Sequence, residues 1–226
     1  MGFRPNIAID GPAGAGKSTV ARLLAEELGY TYVDTGAMYR AMALLALRRG
    51  VDVSDEEKLE RLAQNARIEL VPGENGALKV FLNGEDVSRE IRDPSVSQVV
   101  SHVARVPAVR RRLAELQRAL AKGGGVVMEG RDIGTAVLPG AEVKIFLTAS
   151  VGERARRRKE ELAARGYKVD QRQVEEEISQ RDALDSSREV DPLTPAPGAL
   201  VIDCSSMTVE EVLRAIISRV KDGSGS

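Results

Sequence analysis

Gly11-Pro12-Ala13-Gly14-Ala15-Gly16-Lys17-Ser18 decides how this chain is read, because it matches G-x-x-x-x-G-K-[ST] and lies between an apolar run and a helical pattern. Asn6 to Asp10 (NIAID) is short and apolar, and the helical pattern from Lys17 to Leu28 stops at Gly29, so the opening reads strand, loop, helix. Glycines in such a loop let the backbone curl until its N–H groups face phosphate oxygens, and the helix N-terminus adds partial positive charge at the same place. Lys17 brings a full charge to the β- and γ-phosphates, and the Ser18 hydroxyl is a candidate magnesium ligand. The segment predicts nucleotide binding.

Working outward, Thr31 to Val33 reads as a second strand and Ala37 to Arg49 as a helix ending at Gly50. Ser54 with Glu57 predicts a capping box for a helix through about Asn65. The period then changes to alternation: Ile68, Leu70 and Val71 precede Pro72-Gly73-Glu74-Asn75-Gly76, and Leu78, Val80 and Leu82 precede Asn83-Gly84, which predicts a small antiparallel meander. Helices are expected from Pro94 and from Pro107, strands at Val126–Glu129 and 142–147, and a charged helix capped by Ser150 and Glu153. A further helix starts at Asp170, a last strand covers 199–203, and Thr208 with Glu211 caps the final helix. The sum is an α/β chain whose parallel core is interrupted by a β-rich insertion and a helical hairpin. The tail from Asp222 to Ser226 is expected to be a frayed end.

Composition narrows the function. The 226 residues carry 33 Lys plus Arg against 34 Asp plus Glu, a net charge of −1, which excludes a basic nucleic-acid coat. No tryptophan and 3% aromatics leave no obvious stacking platform for single strands or glycans. A single cysteine, Cys204, and a single histidine, His102, supply no zinc set, and structural positions are expected for both. With no long apolar run and no apolar signal core after Met1, a cytoplasmic protein without membrane partners is expected, and nothing demands an obligate assembly, so a monomer is expected.

The loop alone does not separate phosphoryl transfer, mechanical ATP hydrolysis and a guanine-nucleotide switch. An Asn-Lys-x-Asp base reader is absent, and the strand at Val126–Glu129 runs into Gly130-Arg131-Asp132, placing a guanidinium beside a carboxylate. Holding a phosphate acceptor against a polyphosphate requires a second set of cations. Arg40, Arg131 and Arg188 are candidates, and strand carboxyl ends are where open α/β sheets bind ligands. Arg154, Arg156, Arg157 and Arg158 read equally well as charges closing over the donor or as a solvated face paired with Glu160 and Glu161.

GPAGAGKST, DTGAMYR, the inserted meander, GRDIGT and RDALDSSR together resemble the bacterial cytidylate kinase family, over about residues 5 to 220. The resemblance implies a P-loop nucleoside monophosphate kinase with a five-stranded parallel sheet, a short helical lid, ATP and ADP as donor pair, CMP and dCMP as acceptors, and Mg2+. It implies a core of about 1–36, 105–150 and 190–226, an acceptor-binding region of about 37–104 and a lid of about 151–189. It would place Lys17, Arg131 and Arg188 in catalysis and Gly11 to Thr19 (Pro12, Ala13, Gly14, Ala15, Gly16, Lys17 and Ser18 between them) with Arg157 around ATP. Thr35, Tyr39 and Arg40 would border the acceptor, whose phosphate would meet Arg40, Arg131 and Arg188, its ribose Arg181 and Asp185, and its base Ser101, Arg110 and Asp132. Cytosine offers an amine donor beside two acceptors, so one carboxylate and at least one donor suit it, and UMP is expected to be poor. Two alternatives stay open: another P-loop kinase, acting on a different monophosphate or on a hydroxyl such as that of shikimate, and a nucleotide-binding scaffold without turnover.

Overall fold

The computed structural model describes residues 4–73 and 78–223. Its core is a five-stranded parallel sheet in the order β2 (Thr31–Asp34), β6 (Val126–Glu129), β1 (Ile7–Asp10), β7 (Val143–Thr148), β8 (Leu200–Asp203). β1 is central, pairing in parallel with β6 on one side and β7 on the other, and every one of its residues is buried. A strand covered on both faces has no polar side to alternate, which is why NIAID reads as a continuous apolar run. The chain leaves β1 through α1 (Lys17–Leu28) to β2 at the edge, and β6 later fills the gap between them. The carboxyl end of β1 is therefore flanked by two strands that arrive late in sequence, where open sheets form a crevice.

Two packed layers flank the sheet. Ile7, Ile9, Ile145 and Leu147 pack under Val20, Ala21 and Leu24 of α1 and under Val212 and Ile216 of α8 (Val209–Gly223), spaced one turn apart on its buried stripe. α8 continues to Gly223, so a tail can begin no earlier than Ser224, outside the described residues.

A second core surrounds α2 (Thr35–Arg48), whose Met38, Ala41, Met42 and Leu45 are buried against α3 (Glu56–Asn65), α4 (Pro94–Val103) and α5 (Pro107–Ala121). Beside it lies the antiparallel sheet β3 (Ile68–Pro72), β4 (Leu78–Leu82), β5 (Glu85–Asp86), in register Leu70 to Val80 and Leu82 to Glu85. Of the turn expected at 72–76, residues 74–76 lie outside the described residues; the Asn83-Gly84 turn is present, with both residues at positive φ. The last two helices, α6 (Val151–Ala164) and α7 (Gln171–Ser186), form a hairpin around Ala155, Val174 and Ile178.

Local rules failed at two caps. Ser54 does not cap α3: its hydroxyl donates to Asp52, Asp55 accepts from the Lys58 N–H at 3.0 Å, and Glu57 pairs with Arg61. An ionised carboxylate one residue later is the stronger acceptor for the orphan N–H groups. At α6, Ser150 accepts from the Glu153 N–H, but Glu153 turns its carboxylate to Arg156 and Arg157 instead of closing the box. Thr208 and Glu211 do form the reciprocal box that starts α8.

Candidate functional site

A cleft of about 720 Å3 opens at the carboxyl ends of β1, β2 and β6, with the phosphate loop as its floor and α2, α5 and the α6–α7 hairpin as its walls. Gly11 cannot carry a side chain: its φ is +145° and a Cβ would fall 1.9 Å from the Leu147 carbonyl oxygen. This close approach seats the loop directly on β7. Lys17 begins α1, is buried, and folds back so that Nζ donates to the Pro12 carbonyl at 2.7 Å. Burial, then the Arg131 charge, pushes its ammonium down to about 7, although Glu129 acts in the opposite sense. An ammonium held in that way gains most from an anionic ligand.

The strand ends supply carboxylates. Asp10, at the end of β1, accepts from the backbone N–H groups of Ile133 at 2.8 Å and Gly134 at 2.7 Å, and burial raises its carboxyl to about 6. Those bonds fix the turn that carries Arg131 and Asp132. Glu129 ends β6, accepts from the Tyr32 hydroxyl at 2.5 Å, and is raised by burial first and then by Asp34. Asp34 caps α2 by accepting from the Ala37 N–H at 2.9 Å, and its other oxygen takes the Arg40 Nη2 at 2.7 Å. Thr35 donates to the Glu129 carbonyl oxygen at 2.7 Å, tying α2 to β6.

The opposite wall is cationic. Arg131 Nε meets Asp185 Oδ2 at 2.9 Å, and Arg188 Nε donates to the Asp185 carbonyl oxygen at 3.1 Å. Although burial works to raise it, Arg131, Arg181 and Arg188 hold the Asp185 carboxyl below the usual range. One carboxylate does not satisfy this set: Arg40 Nε, Arg181 Nε and Arg188 Nη2 are buried without a hydrogen-bond partner. Burial, followed by the Arg131 charge, lowers Arg181 to about 10. Unpaired buried guanidinium N–H groups lining a cleft are costly unless an anion fills it.

Beyond the arginines, Arg110 and Asp132 are paired deep in the cleft at 2.5 Å, with Arg110 also reaching Asp191 at 3.2 Å and lying 5.9 Å from the Tyr39 ring centroid. Ser101 and Arg110 lie on helices, where polar residues are ordinary, yet both are buried and both line the cleft. Burial raises the Asp132 carboxyl against the pull of Arg110.

The structure thus brings together nearly every residue singled out in the sequence: Ala13 to Thr19, Thr35, Tyr39, Arg40, Ser101, Arg110, Arg131, Asp132, Arg157, Arg181, Asp185 and Arg188 all line this one cleft, while Gly11 and Pro12 shape the loop from beneath. The α6 arginines divide. Arg156 pairs with Glu153 and Glu160, and Arg158 with Glu161, yet both also line the cleft, so for these two the ion-paired face and the donor-facing wall are the same surface. Arg157 donates to the Cys204 carbonyl oxygen at 2.7 Å and Arg154 to that of Ala13 at 3.1 Å, so both join α6 to the loop or its support. Asp10, Asp34, Glu129, Arg154 and Asp191 carried no individual assignment from the sequence; the spacing of three between Arg154 and Arg157 is the signal that could have set them apart. Cys204 holds a structural position, its thiol directed at the Ala15 and Thr148 carbonyl oxygens, but His102 is an exposed helix residue and not the structural position expected.

A donor cradle and an anion-seeking wall facing each other across one cleft are the parts of a P-loop phosphotransferase, and that is the class this fold and site define. The fold is similar to that of a gluconokinase from Sinorhizobium meliloti 1021, with a TM-score of 0.50 at 17% identity over 98% of this chain and 96% of that one. A family model for cytidylate kinase matches residues 7–222. The chain is 66% identical to a cytidylate kinase of Pelotomaculum thermopropionicum, covering 99% of each, and 58% identical to one of Geobacillus thermodenitrificans, covering 97% of each. The chain belongs to the cytidylate kinase family. Among the described residues no helix is long and apolar enough to cross a membrane.

Proposed function

We propose that this kinase transfers the γ-phosphoryl group of ATP directly to the phosphate of CMP or dCMP. The observation that carries the reading is the set of three buried, unpartnered guanidinium N–H groups on Arg40, Arg181 and Arg188, beside the buried Arg110–Asp132 pair. The arginines fit a phosphate, and the pair fits a base edge with both donors and acceptors. A phosphate oxygen of the acceptor forms the new bond to the γ-phosphorus as the bond to the β–γ bridging oxygen breaks, leaving ADP. That oxygen is already anionic at neutral pH, so no strong base is required and positioning with electrostatic stabilisation does the work.

Lys17 and the loop N–H groups hold the donor phosphates, while Arg131 and Arg188, on the acceptor side, stabilise charge on the transferring group. Among the described residues no cluster of three acidic, histidine or cysteine ligands could hold a metal ion by itself. The Ser18 hydroxyl, which lines the cleft together with Glu129, still offers a hard oxygen donor of the kind magnesium takes when phosphates supply the remaining ligands. When bound there, magnesium would neutralise β- and γ-phosphate charge. In this proposal the α6–α7 hairpin is a lid that excludes water, and the enzyme acts as a cytoplasmic monomer.

The test is ADP release from Mg-ATP with CMP, dCMP, AMP, GMP and shikimate offered separately. Turnover confined to the cytidine monophosphates is expected. Turnover with shikimate would make the acceptor a hydroxyl and overturn the reading, and ATP binding with no turnover on any acceptor would favour a scaffold.

A further inference from the structure

Arg154 stands where three parts of the molecule meet. Its Nε donates to the Ala149 carbonyl oxygen just beyond β7 at 2.9 Å, its Nη1 to the Ala13 carbonyl oxygen of the phosphate loop at 3.1 Å, and its Nη2 pairs with Asp182 Oδ2 on α7 at 2.7 Å. The residue is 4% exposed, so these bonds are largely shielded from water. Gly14 packs on it as well: a Cβ there would lie 3.0 Å from both the Cβ and the carbonyl oxygen of Arg154. Loop and helix therefore meet without room for a side chain.

At the other end, Asp182 follows Arg181 and precedes Asp185 by nearly one helical turn, and Asp185 organises Arg131 and Arg188. Asp182 Oδ1 is buried without a hydrogen-bond partner, which leaves Arg154 as the group that orients this carboxylate. One planar guanidinium thus spans from the loop that would hold the donor to the helix that carries Arg181 and leads into Arg188. Its fork geometry does not tolerate independent movement of the two ends.

We propose that the Arg154–Asp182 pair is a positioning device that couples nucleotide occupancy of the phosphate loop to the placement of Arg181 on α7 and of Arg188 just beyond its end. The proposal rests on the phosphoryl-transfer reading above. Polyphosphate drawing the loop N–H groups inward reorients the Ala13 peptide, and its carbonyl oxygen takes Arg154, and with it Asp182, along. Coupling of this kind is reciprocal, so ADP tightens CMP binding and CMP tightens ADP binding by the same factor.

A staple that merely joined α6 to α7 would behave differently. Its loss would weaken CMP binding by one factor whether or not ADP is bound, whereas loss of a coupling device removes the ADP-dependent part. The experiment is calorimetric titration of CMP into the full chain with and without saturating ADP, for wild type, Asp182→Asn, Asp182→Glu, Arg154→Ala and the double variant. In wild type, ADP is expected to tighten CMP by roughly fivefold or more, and in Asp182→Asn by less than about twofold, with CMP affinity in the absence of ADP little changed. Asp182→Glu should restore part of the effect, and Arg154→Ala should add nothing to Asp182→Asn. Should Arg154→Ala fail to fold, the two Asp182 variants decide.

Wild-type coupling in Asp182→Asn, equal weakening with and without ADP, or no coupling in wild type would each overturn the proposal. ADP release by the wild type from ATP and CMP, measured beside these titrations, keeps the two levels apart. Its absence would sink the functional reading, whereas an active wild type with unaltered coupling in Asp182→Asn would sink only this inference.

Discussion

Arg110 Nη2 and Asp132 Oδ2 lie 2.5 Å apart, with 3% and 7% of their side chains exposed. A buried pair of this kind contributes little net stability and is best explained by what it specifies. Asp132 presents an acceptor, Arg110 presents donors, and both border the cleft.

Asp132→Asn should lower kcat/KM for CMP by about 10- to 100-fold, the worth of about one good base contact, while UMP should lose less, because an amide can donate to the carbonyl that uracil carries in place of the amine. The CMP-to-UMP ratio of kcat/KM is the quantity to measure. An unchanged ratio would remove Asp132 from base selection.

Lys17→Met should cut kcat by at least about 10²- to 10³-fold, the loss expected when one preorganised charge is taken from the transition state. Its Tm at neutral pH should be no lower than that of wild type, because burial already depresses the lysine and the variant removes that burden. Steady-state kinetics and thermal melting on the same preparation check both halves. A large fall in Tm would mean that the kinetic loss came from misfolding.

Nucleotide binding should draw in a proton. With Lys17 held down to about 7 against an ordinary 10.5, the free protein leaves this amine largely neutral between those values. Phosphates in the loop raise it again. At about pH 8, ADP binding should therefore take up close to one proton, as read from calorimetric enthalpies in buffers of different ionisation heat, and Lys17→Met should show none. Equal uptake in the variant would assign the proton elsewhere.

Asp10 gives a prediction on stability. Its folded value is raised from 3.8 to about 6, so the native state retains a proton that the unfolded chain releases, and its contribution to stability falls as pH rises through that window. The shift corresponds to about 3 kcal/mol. Wild type should therefore exceed Asp10→Asn in stability by about that much more at pH 4 than at pH 7, measured by denaturant titration. A pH-independent difference would show that Asp10 does not titrate as described.

Much of this molecule was legible because its signals are local. The loop at Gly11–Ser18 announces itself by spacing, NIAID by its unbroken apolar run, and the Pro94 and Pro107 helices by proline in the first turn. Arg40, Arg131 and Arg188 could be picked out because they lie near strand ends or in motifs shared with the family. What stayed hidden depends on juxtaposition. Asp10 is tied to Gly134, 124 residues away, and Arg154 to Ala13, 141 residues away, and neither partner leaves a mark near the other. Asp182 sits in a helix full of charge, where only the tertiary structure separates a bonded carboxylate from a solvated one. The Ser54 cap failed for a smaller reason: Asp55 follows it and is the better acceptor.

The most direct test of the central claim, a cleft that carries phosphate to a cytosine nucleotide, is kcat/KM for CMP and UMP measured side by side on the wild type with Mg-ATP. CMP should be favoured by at least about 10- to 100-fold, the discrimination that one buried acceptor–donor pair can supply. Equal values would contradict it, because the Arg110–Asp132 pair would then not be reading the base.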